Sequence, residues 1–162
     1  MFFLYLCKNY HCMKRHLLLL VLGLTSVLAG CGLTSDDQQE ATQTAQEWAQ
    51  AYFNYNLMEA ADLSTAESKK WLQLLASNTT DDDLRLLGSN GATITVEGIA
   101  SSVADTLHIV KVRVENYVKA GAIGEPSSVQ EEGLFFLKVV KRNRGWYVRM
   151  EGLPQNEKQS RD

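Results

Sequence analysis

The chain has 162 residues, 16 of them Lys or Arg and 19 Asp or Glu, with 45% apolar residues and 2 Pro. That is enough for one domain with a real core, and too apolar for a globally disordered chain. A formal charge of −3 excludes the basic balance expected of a nucleic-acid binder, and 3 Cys are too few for a disulfide scaffold.

Residues 14–16 are Lys-Arg-His, and residues 17–29 run Leu-Leu-Leu-Leu-Val-Leu-Gly-Leu-Thr-Ser-Val-Leu-Ala. A basic stretch followed by an apolar run of this length has the form of a secretory signal. It is shorter than the ~20 residues a spanning helix needs. The run ends Leu28-Ala29-Gly30-Cys31, which resembles the lipobox of bacterial lipoproteins. The resemblance implies cleavage between Gly30 and Cys31, acylation of Cys31, and anchoring in the bilayer of a bacterial cell envelope through that lipid. Several acyl chains hold a protein stably where one would be marginal. Residues 1–30 are then a removed signal peptide. Met13, directly before Lys14-Arg15, is the expected initiator, because Met1–Cys12 places an extra apolar stretch and two Cys ahead of the basic residues. Cys7, His11, Cys12 and His16 are discarded with the signal and are not read as a metal site.

Cleavage removes Lys8, Lys14 and Arg15 and no acid, so the mature chain is more acidic than the whole. It retains Cys31 as its one cysteine, carrying lipid, and His108 as its one histidine. Thiol catalysis and the usual Cys- or His-based zinc motifs are excluded on that reading, and no cofactor or metal is expected. Residues 31–39 form the lipidated end and a polar tether. Gly32 resembles the form that is sorted outward to the outer membrane in enterobacteria. Ser35-Asp36-Asp37 resembles the surface-export tags of Bacteroidetes lipoproteins but reads more readily as a plain solvated linker.

One domain is expected over 40–153. Residues 40–56 carry Ala41, Ala45, Trp48, Tyr52 and Tyr55 at steps of three and four, the stripe of an amphipathic helix, with Asn54 and Asn56 weakening its end. Short helices are predicted over 57–63 and 66–76. Thr80 is placed to cap a fourth, with Asp81, Asp82 and Asp83 in its first turn, where the helix dipole favours anions. The three Asp lack the spacing of a calcium loop. Gly88-Ser89-Asn90-Gly91 ends the helical half.

Strands are predicted over 92–99, 106–118, 133–141 and 146–151. In the second, Val110, Val112, Val114 and Val118 share one face with His108, while Lys111, Arg113, Glu115 and Tyr117 fall on the other. Residues 119–130 read as a loop, Arg142-Asn143-Arg144-Gly145 as a hairpin connection, and 154–162 as a disordered polar tail. Helices followed by strands give an α+β fold, with N-terminal helices packed on one face of a curved antiparallel sheet of about four strands.

Two stretches, residues 45–61 and 136–148 with its Gly145-Trp146 pair, resemble the nuclear transport factor 2-like superfamily. Its curved sheet wraps the first helix into a cone. The superfamily includes enzymes, binding modules and subunits of export machines, so the resemblance implies a fold rather than an activity. Trp48, Tyr52, Tyr55, His108, Val112, Phe136 and Trp146 are the candidate pocket residues of such a cone. The superfamily's catalytic acid and His cannot be matched here, and no catalytic residue is assigned. The leading expectation is non-catalytic binding of a small ligand in the cone or of a protein on the sheet. The alternatives are a structural subunit of an envelope complex, its cone filled by aromatics, and a small lyase or isomerase using His108 with a Tyr. Asn78-Thr79-Thr80 and Asp105-Thr106-Leu107 match short glycosylation acceptor patterns of low specificity.

Overall fold

A computed structural model describes residues 36–88, 91–102, 106–121, 126–143 and 145–157. The signal segment, Gly30, Cys31 and Gly32 lie outside the described residues, as do 33–35, Asp105, Arg144 and 158–162. The order is helices first, then strands: α1 Asp36–Phe53, α2 Leu57–Asp62, α3 Lys69–Asn78 preceded by a 3-10 turn at Ala66–Ser68, α4 Asp81–Leu86, then β1 Thr93–Ser101, β2 Leu107–Lys119, β3 Ser128–Arg142 and β4 Gly145–Arg149. The strands form one antiparallel sheet in the order β1-β2-β3-β4. The expected α+β class is therefore observed. No helix among the described residues is long and apolar enough to cross a membrane.

The core forms where α1 lies against one face of the sheet. Ala41, Ala45 and Ala49 let the helix approach closely, and Trp48, Tyr52 and Phe53 fill what remains. The facing stripe is Val110, Val112 and Val114 of β2, Phe135, Leu137 and Val139 of β3, and Trp146 and Val148 of β4. The register places Val110 opposite Leu137, Val112 opposite Phe135, and Val139 opposite Val148. Trp48 is fully buried, its ring stacked on Tyr52 at 4.7 Å. Its indole N–H donates to Ser64 Oγ at 2.8 Å, and that hydroxyl donates to the Ala60 carbonyl.

The segment after α2 covers the free edge of β4. Val148 N–H donates to the Leu63 carbonyl at 2.8 Å and Thr65 N–H to the Val148 carbonyl at 3.0 Å. Ser68 Oγ accepts from Met150 N–H at 2.8 Å. An unpaired strand edge is a template for association, and this loop closes it.

Several boundaries differ from expectation. α1 begins at Asp36, so Asp36–Gln39 belong to the helix rather than to the tether. It ends at Phe53 because Asn54 leaves the helical pattern: its side-chain oxygen accepts from Ala92 N–H at 2.8 Å, and its amide donates to the carbonyls of Gln50 and Ala92. This ties the helix end to the start of β1. Gly91, at φ +63°, is required there, since a Cβ would sit 2.2 Å from the Asn54 side chain. Residues 128–130, assigned to a loop, extend β3. Thr80 and Asp83 form the full capping box of α4.

The tail is ordered further than its polarity suggests. Asn156 is only 6% exposed, accepts from Leu134 N–H at 3.2 Å and donates to the Tyr117 hydroxyl at 3.4 Å. Burying a polar group with its partners made is tolerable where burying it alone is not, and these bonds hold residues 154–157 against the sheet.

Phe136 is the clear correction among the expected inward residues. It lies on the outer face, 50% exposed, and its neighbour Phe135 takes the inward position. The reason is strand parity: position 135 shares the face of Leu137 and Val139. Trp48→Ala is expected to lower unfolding free energy by about 3–5 kcal/mol, and Phe136→Ser by about 1 kcal/mol or less. Urea denaturation of the two variants checks the assignment, and equal losses would contradict it.

Candidate functional site

Strands β2 and β3 run past the end of α1. Thirteen residues of β2 span ~44 Å, and the eighteen of α1 only ~27 Å. A cavity of about 400 Å³ opens where the helix stops. Tyr52, Phe53 and Tyr55 bound it from the helix end, Tyr117 and Lys119 from β2, and Phe135 from β3. Leu75 of α3 and the Leu153–Asn156 segment close its sides.

The aromatic wall is built by edge contacts. Phe53 meets Tyr117 at 5.6 Å and Phe135 at 4.7 Å, and Tyr117 meets Phe135 at 5.3 Å. Such tilted and perpendicular rings match the quadrupole preference of aromatic pairs. Tyr117 was expected on the outer face by alternation. It is buried, because Asn116 adopts a left-handed backbone, φ 55°, and the strand turns there. Gly133 completes the arrangement: a Cβ at that position would lie 2.8 Å from the rings of both Tyr117 and Phe135.

The phenols are held in their neutral form. Burial pushes the Tyr52 hydroxyl well above its ordinary pKa, with the neighbouring Tyr55 adding to it. Burial also raises Tyr55, assisted by the Asp83 carboxylate. Tyr117 is raised by burial, partly offset by its bond from Asn156. All three remain hydrogen-bond donors at neutral pH.

Of the candidate pocket residues, only Tyr52 and Tyr55 line this cavity. Trp48 and Val112 are fully buried core residues. His108 does face inward, 1% exposed, but at the opposite end of α1 from the cavity. There it packs on Trp146 with ring centroids 4.6 Å apart. Among the described residues, neither His108 ring nitrogen nor the Trp146 indole nitrogen has a hydrogen-bond partner. Lys141 closes this end, its ammonium 5.5 Å from the Trp146 ring centroid and 2.5 Å from the Asp37 carboxylate. That ion pair holds Asp37 below the usual carboxylate range. Among the described residues, no phenol or carboxylate is hydrogen-bonded to His108.

Two further depressions mark the surface. One, about 480 Å³, follows the polar side of α1 and α2 at Gln46, Gln50 and Asn54. The other, about 580 Å³, runs along β4 beside Trp48 and Phe136, and its charged groups Lys138, Arg149 and Glu151 already pair with one another. Among the described residues, no three His, Cys, Asp or Glu side chains form a metal-binding group.

Sequence reasoning missed Phe53, Tyr117, Phe135, Lys119 and Asn156. The signals that point to them are Gly133 within an apolar strand run, which marks a close approach, and Asn116, a residue type that tolerates the left-handed conformation. Comparison with protein-family models, with curated proteins and with solved structures gives no match.

The buried phenol makes stability pH-dependent in a defined direction. Above pH 10.0, the ordinary phenol value, the unfolded chain releases the Tyr52 proton and the native chain keeps it. The native state then binds more protons, and stability falls as pH rises. Below that pH the full contribution is present. Unfolding free energies from urea titrations between pH 9 and 11.5 are expected to decline, above pH 10.0, by up to about 1.4 kcal/mol per pH unit for this group. Tyr52→Phe is expected to flatten the decline. An unchanged slope in that variant would place the titration elsewhere.

Proposed function

We propose that this chain is a membrane-anchored bacterial envelope lipoprotein whose α+β domain, a nuclear transport factor 2-like cone, binds a small ligand without chemistry. The observation that carries the binding reading is the aromatic cavity beyond the end of α1. At about 400 Å³ it exceeds the ~300 Å³ at which ligand sites begin. It joins an apolar wall to a few convergent hydroxyls, the composition of a binding pocket rather than of a filled core.

The anchor reading draws on the Leu28-Ala29-Gly30-Cys31 lipobox behind its apolar run. Cys31 lies five residues before Asp36, where α1 begins, and the cavity lies at the other end of that helix. The assembly reading draws on the exposed Phe136 of the outer sheet face.

Two outcomes test this. Native mass spectrometry of the chain released from envelopes of its source cell is expected to show an extra mass that leaves on collisional activation. A clean mass of the protein alone would favour the assembly reading. Separately, Cys31→Ala is expected to abolish acylation and leave an uncleaved or soluble precursor. Unchanged membrane partition of that variant would remove the lipoprotein reading.

A further inference from the structure

We infer that the cavity at the end of α1 takes an amphipathic organic acid, its apolar body among the rings and its carboxylate at the Lys119 end. The inference rests on the ligand-binding reading of the same cavity and adds the chemical class.

The lining selects by charge and by hydrogen-bond type. Among the described residues, Lys119 is the one charged residue of the lining, and no carboxylate belongs to it. Asp83 acts on Tyr55 from outside, and its own carboxylate is occupied by the backbone and side chain of Thr80. Three phenol hydroxyls, of Tyr52, Tyr55 and Tyr117, belong to the lining, and each carries a hydrogen to donate. The Tyr52 and Tyr55 hydroxyls make no hydrogen bond among the described residues, so each keeps its hydrogen to donate. Tyr117 accepts from the Asn156 amide, which leaves its own hydrogen available. A ligand that supplies acceptor oxygens satisfies these donors, and a carboxylate supplies two with the charge that Lys119 complements. An ammonium would bring a like charge to Lys119.

The size of the body follows from the volume. At about 30 Å³ for each water-sized unit, about 400 Å³ holds roughly a dozen heavy atoms. The rings of Phe53, Tyr117 and Phe135 present an apolar wall to that body.

The test uses three probes of one shape: 4-phenylbutyrate, 4-phenylbutan-1-ol and 4-phenylbutan-1-amine. Each is titrated calorimetrically into the full chain held in lipid nanodiscs, with empty nanodiscs subtracted. The acid is expected to bind about fivefold more tightly than the alcohol, the increment of one partly exposed charge pair, and the amine more weakly than either. Lys119→Gln is expected to bring the acid to the level of the alcohol and leave the alcohol unchanged. Lys119 is exposed at the end of β2, so the variant keeps the fold. Ala120→Trp, which fills the mouth from an exposed position, is expected to weaken acid and alcohol together. Equal affinity for acid and alcohol, or preference for the amine, overturns the class and leaves a ligand-binding cavity standing. Acid binding that survives Ala120→Trp places the probe elsewhere and overturns the inference. If no probe binds, the class is overturned, and the mass measured on the protein from its source cell decides the binding reading separately.

Discussion

The contact between the alanine and aromatic stripe of α1 and the valine stripe of the sheet governs the rest of the structure. Ala41, Ala45 and Ala49 bring the helix close, and Trp48 enters the core with its indole N–H satisfied by Ser64. Fixing Ser64 fixes the segment that covers β4, because Ser64 bridges to Val148 and its neighbours Leu63 and Thr65 bond the same strand. One buried aromatic thus couples the helix, the loop and the sheet edge. Removing the bond partner of a buried indole costs more than the bond itself contributes, so the serine matters to the core beyond its own size.

The cavity follows from the mismatch in length between this helix and the strands it covers. Where α1 ends, the sheet continues, and its inner face lacks a helix to bury it. The protein partly compensates with Phe53, which stays at the helix end and meets Tyr117 and Phe135, and with the tail, which Asn156 fixes against β3. What remains open is bounded by rings and by hydroxyls that burial keeps neutral. At the other end the same face is closed by His108, Trp146, Lys141 and Asp37, so the two ends of one helix carry opposite chemistry. The histidine that invites an acid–base reading sits in the closed end, packed on Trp146.

Much of the fold was legible from periodicity. The stripe of α1, the alternation of β2, the capping box at Thr80 and the order of helices before strands all come from local rules, and these elements obey them. The candidate site was legible only at Tyr52 and Tyr55, because they continue the helix stripe. Phe136 was misplaced because three adjacent apolar residues, Leu134, Phe135 and Phe136, give no alternation from which to choose a face. Tyr117 was misplaced for the opposite reason: its alternation is clear, and Asn116 breaks it by turning the strand.

By itself the sequence determined the elements, their order and the α+β class, since each depends on contacts within a few residues. It also carries the signal-like segment and the lipobox resemblance, which are linear patterns. Only the tertiary structure decided which aromatics form the core and which bound the cavity. That choice depends on where α1 stops relative to strands that begin more than 50 residues later in the chain, and on a left-handed asparagine and a contact that only glycine permits. Asn156 belongs to the same class: a polar residue in a polar tail becomes part of the wall because an unpaired backbone N–H and a buried phenol wait for it across the sheet.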